Sequence, residues 1–276
     1  MNRKFDLYDS TYGNFETELY ARIRRRTFGE DLGQNSWTTA DEYRRWAEWL
    51  ALGANSYALE VASGSGGPAL FLARLTGSRV VGVDINPHGV ADAVARAEKE
   101  GLAGRVRFEV LDADAPLPFA DRTFDAILCV DAANHFVDRR RVLADWRRIL
   151  RPGGRLIFTD PVVVTGLVSS EELAGRSSIG PFLFAPPGVN ERFLEAAGLM
   201  LVQTEDGTAN AAVVAKRWHD AREREAAALL PIEGEERHRG LQDFFAAVHR
   251  LTSERRLSRI VYFAKRPASD DGRTAS

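Results

Sequence analysis

Cysteine is almost missing from this chain. Cys129 stands alone among 276 residues. That excludes an internal disulfide and any cysteine-rich metal site, and no metal is expected. A large net charge is missing too: 37 lysines and arginines face 39 aspartates and glutamates, a balance of −2. Nothing therefore pulls the chain generally toward nucleic acid or an anionic membrane surface, and neither is expected as a partner. No run reaches the roughly 18 apolar residues of a membrane span. The first residues, Met1-Asn2-Arg3-Lys4-Phe5-Asp6, lack the apolar stretch of a secretory signal. No internal repeat is found. The expected setting is reducing and cytoplasmic. The length suits one large domain, or one domain carrying a sizeable insertion.

What is present is organised around Leu59–Ala73, Leu-Glu-Val-Ala-Ser-Gly-Ser-Gly-Gly-Pro-Ala-Leu-Phe-Leu-Ala. An apolar run from Tyr57 to Ala62 predicts a buried strand. Leu70, Leu72, Ala73 and Leu75 recur at helical spacing, and Pro68 suits a first helical turn. Between the two lie Gly64, Gly66 and Gly67, which permit a sharp turn and let a ligand approach main-chain amides. A strand, a glycine turn and a helix N-terminus together form a nucleotide-binding arrangement. The second apolar strand, Arg79–Asp84, ends in a carboxylate placed to accept both hydroxyls of a ribose. The glycines alone are ambiguous, because Gly64–Ala69 also satisfies a dinucleotide fingerprint. A nicotinamide-dependent oxidoreductase is the alternative on that ground.

Further strands are expected at 105–111, 124–131, 155–160, 199–206 and 257–265, with helices at 87–101, 139–150 and 190–197 between them. Strands alternating with helices imply parallel pairing through right-handed crossovers. The expected fold class is α/β: a doubly wound, mostly parallel, seven-stranded Rossmann-like sheet with helices on both faces and helical cover over the strand ends. Ligands of such sheets bind beyond the carboxyl ends of the strands. The division expected is an N-terminal helical lid at 1–50 and a cofactor-binding core at 51–160. Substrate-covering insertions follow at 161–187 and 209–255. The core sheet is completed by 188–208 and 256–266, before a disordered tail at 267–276.

The stretch from Leu59 to Asp160 resembles the class I S-adenosylmethionine-dependent methyltransferases, in particular their small-molecule branch. Five ordered motifs carry the resemblance. They are Leu59–Gly67; the acidic strand end Asp84; Asp112-Ala113 followed by Leu117-Pro118-Phe119; Phe124-Asp125-Ala126; and Leu150-Arg151-Pro152-Gly153-Gly154. The resemblance implies S-adenosyl-L-methionine as cofactor. It implies that Glu60 lies near the methionine amino group, with Ala62, Gly64 and Gly66 along that end. Asp84 is implied to bind the ribose, Ile85 to pack on adenine, and Asp112 and Ala113 to meet the adenine edge. Main chain near Cys129 and Val130 is implied to face the methionine part. Gln34 and Ser36 are expected to add polar contacts from the lid.

Methyl transfer is an in-line displacement, so the protein mainly aligns acceptor and methyl at about 3 Å and excludes water. Where a proton must leave, His135 is the candidate base, because it follows the fourth strand end and its ordinary pKa of about 6.5 suits neutral pH. A structural role for it, capping the next helix or bonding main chain, stands beside that one. Asp131 either positions an amine or serves as a structural cap. Tyr12, Tyr20, Asn134, Asp160, Phe182, Trp218 and Phe245 are expected around the acceptor, a small molecule whose reacting atom (N, O, C or S) the sequence leaves open.

Overall fold

A computed structural model describes residues 14–269. Strands β1 (Tyr57–Val61), β2 (Arg79–Asp84), β3 (Val106–Val110), β4 (Phe124–Cys129), β5 (Leu150–Val164), β6 (Met200–Asp206) and β7 (Leu257–Lys265) form one sheet, in the order β3-β2-β1-β4-β5-β7-β6. The first five pair in parallel, and β7 runs antiparallel between β5 and β6. The expected doubly wound sheet is therefore present. Its strand order reverses between β1 and β4, which is where such sheets open a crevice at their carboxyl ends. β1 and β4 are apolar along nearly their whole length because helices cover both faces.

Helices α1 (Glu18–Phe28) and α2 (Ala40–Trp49) precede β1, and α3 (Gly67–Thr76), α4 (Pro87–Lys99) and α5 (Arg139–Ile149) connect the parallel strands. α6 (Ser170–Arg176) and α7 (Val189–Ala196) lie between β5 and β6. α8 (Thr208–Arg224), α9 (Ala226–Glu233) and α10 (Glu235–Ser253) lie between β6 and β7. α2 starts at a capping box in which Thr39 and Glu42 satisfy each other's backbone amides. α3 starts at Gly66, whose φ of 76° is left-handed. A Cβ there would collide with Phe108 and Ala93, so this position requires glycine.

The two N-terminal helices divide the expected lid between them. α2 is scaffold: Tyr43, Trp46 and Ala47 pack with Leu70, Phe71 and Phe263 in the core on one face of the sheet. α1 belongs to a separate apolar cluster, in which Tyr20, Ile23 and Phe28 meet Trp37, Val214, Trp218, Phe244 and Phe245. α1 and the α8–α10 segment thus share one hydrophobic body over the strand ends. Tyr20 was expected near the acceptor. Its hydroxyl instead donates to Glu233 Oε1 at 2.8 Å, pinning α1 to α9. Tyr12 lies outside the described residues.

Asp160 does not face the substrate mouth. β5 runs four residues beyond it, pairing with β7 as far as Val164–Leu257, so Asp160 is enclosed at 0% exposure. Its carboxylate receives Arg139 Nη1 at 2.6 Å and Asn190 Nδ2 at 2.9 Å, joining α5 and α7 to the sheet. Removing one partner of a buried pair leaves the other charge unpaired and desolvated. Asp160→Ala is therefore expected to lower unfolding free energy by roughly 3–5 kcal/mol, measured by urea denaturation. A loss below 1 kcal/mol would contradict this account.

Candidate active site

A cavity of about 600 Å³ lies beyond the carboxyl ends of β1, β2 and β4, lined among others by Ala62, Asp84, Ile85, Asp112, Ala113, Val130 and His135. Its floor is the strand-order reversal. Two non-glycine residues there hold left-handed backbone, Ala62 after β1 (φ 60°) and Asp131 after β4 (φ 52°). Such strain concentrates where surrounding structure overdetermines a functional turn.

The Asp84 carboxylate is held by two backbone amides, Gly64 N–H on one oxygen and Asn86 N–H on the other, both at 2.8 Å. Each oxygen keeps further acceptor capacity toward the cavity. Burial raises its pKa, and the amides of Asn86, Gly64 and Ile85 draw it back. Beside it, Ile85 is 67% exposed, an apolar surface in the cavity wall with nothing packed on it equal to its size. Asp112 and Ala113 follow on the same side, as the sequence places them.

A narrower recess continues past the glycine turn, lined by Gln34, Asn35, Ser36, Tyr43, Glu60, Gly64 and Val130. Glu60 Oε2 is buried there without a hydrogen-bond partner. Desolvation pushes its pKa up to about 8, opposed by the Ala69 amide and reinforced by Asp84. Segment 31–36 closes this end: Ser65 Oγ donates to the Gly33 carbonyl at 3.3 Å, and Arg96 Nη2 to the Leu32 carbonyl at 3.2 Å. Gln34 lines the recess, but its side chain is spent locally, with Oε1 accepting the Leu32 amide at 2.8 Å. At Cys129 the expectation concerns the main chain, not the side chain. Its side chain is fully buried in the opposite core, with Ile127 and Phe158. Successive strand residues face opposite sides, and Val130, one residue on, is the one that lines the cavity and recess.

Asp131 lines the cavity but has no free role there. Oδ1 receives Arg259 Nε at 2.7 Å and Thr159 Oγ1 at 2.6 Å, while Oδ2 receives the Trp37 amide at 2.8 Å and Thr38 Oγ1 at 3.2 Å. The carboxylate fastens the segment before α2 to β4, β5 and β7, which is the structural of its two expected roles.

A second pocket adjoins the large cavity and shares Asn35, Asp131, His135 and Ile179 with it. Ser36, Asn134, Phe182, Trp218 and Phe245 line it, so most of the residues expected around an acceptor do come together. Trp37, Arg176 and Phe244 complete it and were not singled out in the sequence. A signal existed for Arg176: Ser169–Glu172 is a capping box that opens α6, and Arg176 is the last residue of that helix. His135 stands at the junction of the two spaces. Its Nδ1 lies 3.1 Å from the Pro181 carbonyl, and its ring meets Phe182 edge-on at 4.9 Å. Because a carbonyl only accepts, that bond puts the proton on Nδ1 and leaves Nε2 as an acceptor. Burial lowers its pKa. The Pro181 bond opposes this, and the Arg176 and Arg139 charges reinforce it.

Residues 59–158 match the family described as methyltransferase domain. Over 201 residues the chain is 31% identical to 27-O-demethylrifamycin SV methyltransferase of Amycolatopsis mediterranei, covering 68% of this chain and 74% of that one. The chain belongs to the class I S-adenosylmethionine-dependent methyltransferases. Methyltransferase GfsG of Streptomyces halstedii is 41% identical over 116 residues, 42% of this chain. The chain spans about two-fifths of the length of GfsG, 41%. Among solved structures, Haemonchus contortus phosphoethanolamine N-methyltransferase 2, in complex with phosphomonomethylethanolamine and S-adenosylhomocysteine, superposes with a TM-score of 0.79. It is 20% identical, over 94% of this chain and 60% of that one, and so shows the fold alone. Family membership removes the nicotinamide-dependent alternative. No described helix is long and apolar enough to cross a membrane.

The residues present fit the methyltransferase cofactor. A buried carboxyl with one unpartnered oxygen suits an ammonium group, a strand-end carboxylate suits a ribose, and an exposed isoleucine face suits a purine. Glu60 also gives the protein a pH signature. A folded pKa near 8 lies above the ordinary carboxylate value, so the native state binds the extra proton and stability falls as pH rises from about 4.5 to 8. Glu60→Gln should raise the melting temperature of the ligand-free protein more at pH 8.5 than at pH 5, and should weaken S-adenosylhomocysteine binding. Equal shifts at both pH values would count against a buried, neutral Glu60.

Proposed function

We propose that this methyltransferase acts on a hydroxyl group of a small-molecule acceptor, with His135 as general base. One observation carries the reading: of the two ionisable side chains that the cofactor-sized cavity and the aromatic pocket share among the described residues, Asp131 is engaged by Arg259, and His135 has Nε2 as its acceptor nitrogen. S-adenosylmethionine, when bound, supplies an electrophilic methyl group on a sulfonium. The protein holds the donor through Glu60, Ala62, Gly64, Gly66, Asp84, Ile85, Asp112 and Ala113, with Ser36 beside the methionine end. His135 takes the hydroxyl proton on Nε2 as the acceptor oxygen becomes nucleophilic. Asn134, Phe182, Trp218 and Phe245 hold the acceptor. Segment 18–37 together with 161–187 and 209–255 covers the site and excludes water, which strengthens the local electrostatics. Asp131 and Asp160 are assigned to holding this cover and the sheet in place, and take no part in the transfer. The varied acceptors of relatives such as the rifamycin enzyme support a small molecule as substrate.

Two measurements test this. Asp84→Ala is expected to weaken S-adenosylhomocysteine binding by roughly 1.5–3 kcal/mol, the worth of a charged hydrogen-bond partner. Unchanged affinity by calorimetry in a folded variant would remove Asp84 from the cofactor site. His135→Ala is expected to lower kcat about 10²–10⁴-fold while cofactor affinity stays within a few fold. Since the His135 pKa lies below its ordinary value, wild-type kcat should rise with pH on an acid limb centred below about 6.5. The variant should lose that limb. Near-normal turnover in the variant would return His135 to a structural role.

A further inference from the structure

One helix of the covering body is apolar where it meets water. α9 (Ala226–Glu233) reads Ala-Ala-Ala-Leu-Leu-Pro-Ile-Glu, and of these residues only Leu229 is buried. Ala227, Ala228, Leu230, Pro231 and Ile232 are all exposed, Leu230 at 37% and Ile232 at 48%. At 3.6 residues per turn these five fall on one side of the helix, opposite Leu229. A surface helix ordinarily turns a charged face outward. Exposed apolar side chains scattered singly need no explanation, but a continuous apolar face marks an interaction surface.

The charges around α9 are sorted by side. Those on its inner side are paired within the chain: Arg222 with Glu233 at 2.6 Å, and Glu225 with Arg22 at 3.0 Å and Arg26 at 2.6 Å. Those at the ends of the apolar face are not. Arg224 precedes α9, and Glu235 and Glu236 follow it. All three are exposed and form no ion pair among the described residues. The face thus runs from a positive end, over the small side chains of Ala227 and Ala228, to the larger Pro231 and Ile232 and a negative end.

That order is complementary to its own reverse. Across a two-fold axis, a residue that meets a second position on the other copy is met in turn by that position. An axis between Leu229 and Leu230 sets Ile232 against the partner subunit's Ala227, and Pro231 against the partner subunit's Ala228. It also sets Arg224 against the partner subunit's Glu235. Large side chains then fill the space left by small ones, and opposite charges meet at both ends. A parallel arrangement would set like charges together, which is repulsive.

We propose that α9 is the contact between two copies of this chain, packed as an antiparallel pair across a two-fold axis. The helix is about 12 Å long at 1.5 Å per residue. The interface is therefore at the small end of specific associations, and the dimer is weak, with a dissociation constant on the order of 10 μM. Glu233 ties α9 to α1 through Tyr20, so pairing also braces the cover over the strand ends. The proposal is independent of which acceptor the enzyme takes.

Sedimentation velocity on the full chain, from about 1 to 200 μM so as to span that value, reads the association. The wild type is expected to pass from monomer to dimer over this range. Ile232→Glu, which places an unpaired charge in the contact twice, should weaken association at least about tenfold. Arg224→Glu and Glu235→Arg should each weaken it about two- to thirtyfold, the effect of losing two exposed ion pairs. The double variant Arg224→Glu/Glu235→Arg should return close to the wild-type value. All three positions are exposed, and thermal melting followed by circular dichroism checks that each variant is folded. A wild type that stays monomeric at every concentration overturns the proposal, whether or not it then binds phosphatidylcholine vesicles. So does a dimer undiminished by Ile232→Glu, a pair of single charge reversals without effect, or a double variant as weak as the singles.

Discussion

The structure depends on one buried guanidinium. Arg259, near the start of β7 and 0% exposed, reaches Asp131 Oδ1 and Glu42 Oε1 at 2.7 Å each and Thr38 Oγ1 at 2.6 Å. Through these bonds the last strand of the sheet, the end of β4 and the start of α2 become one unit. The backbone of Arg259 extends it further, since its amide donates to Thr208 Oγ1 and its carbonyl accepts the Gly207 amide at the start of α8. Glu42 also receives Asn210 of α8. An arginine so deeply buried is tolerable only because its donors are met by carboxylates and hydroxyls. The pocket inherits its walls from this arrangement: Trp37 is held by its amide on Asp131, and Asn134 and His135 follow directly from the same turn.

Burial does a second kind of work at the site. It raises the Glu60 pKa to about 8 in the ligand-free protein, and it lowers that of His135 below the ordinary histidine value. The two groups lie at opposite ends of the space that a cofactor and an acceptor would share. The covering segments are part of this effect. α1 and the α8–α10 segment form a single apolar cluster beside the strand ends.

Much of this was legible in the residues. Apolar runs bounded by glycine and aspartate marked the parallel strands, and their alternation with helices left few topologies open. Asp84, Ile85, Asp112 and Ala113 stand where strand ends put them, because a parallel sheet presents all its carboxyl ends on one side. Errors arose where two readings share one local pattern. Asp160 ends an apolar strand just as Asp84 does, yet β5 continues past it and encloses it between Arg139 and Asn190. Tyr20 sits on an amphipathic stripe that serves a helix contact with Glu233 as well as it would a ligand.

The sequence by itself determined the elements, the parallel sheet and the glycine turn at Gly64–Gly67, because these follow from short-range periodicity and from backbone requirements at single residues, and its five ordered motifs carried the resemblance to the family. The tertiary structure alone decided which charges are occupied and which remain available. Asp131 and Arg259 are 128 residues apart, Tyr20 and Glu233 are 213 apart, and Arg176 meets Trp37 and Phe244 from distant parts of the chain. Pairing at such separations is set by packing of whole elements, and whether a carboxylate is a tether or a site depends on that pairing.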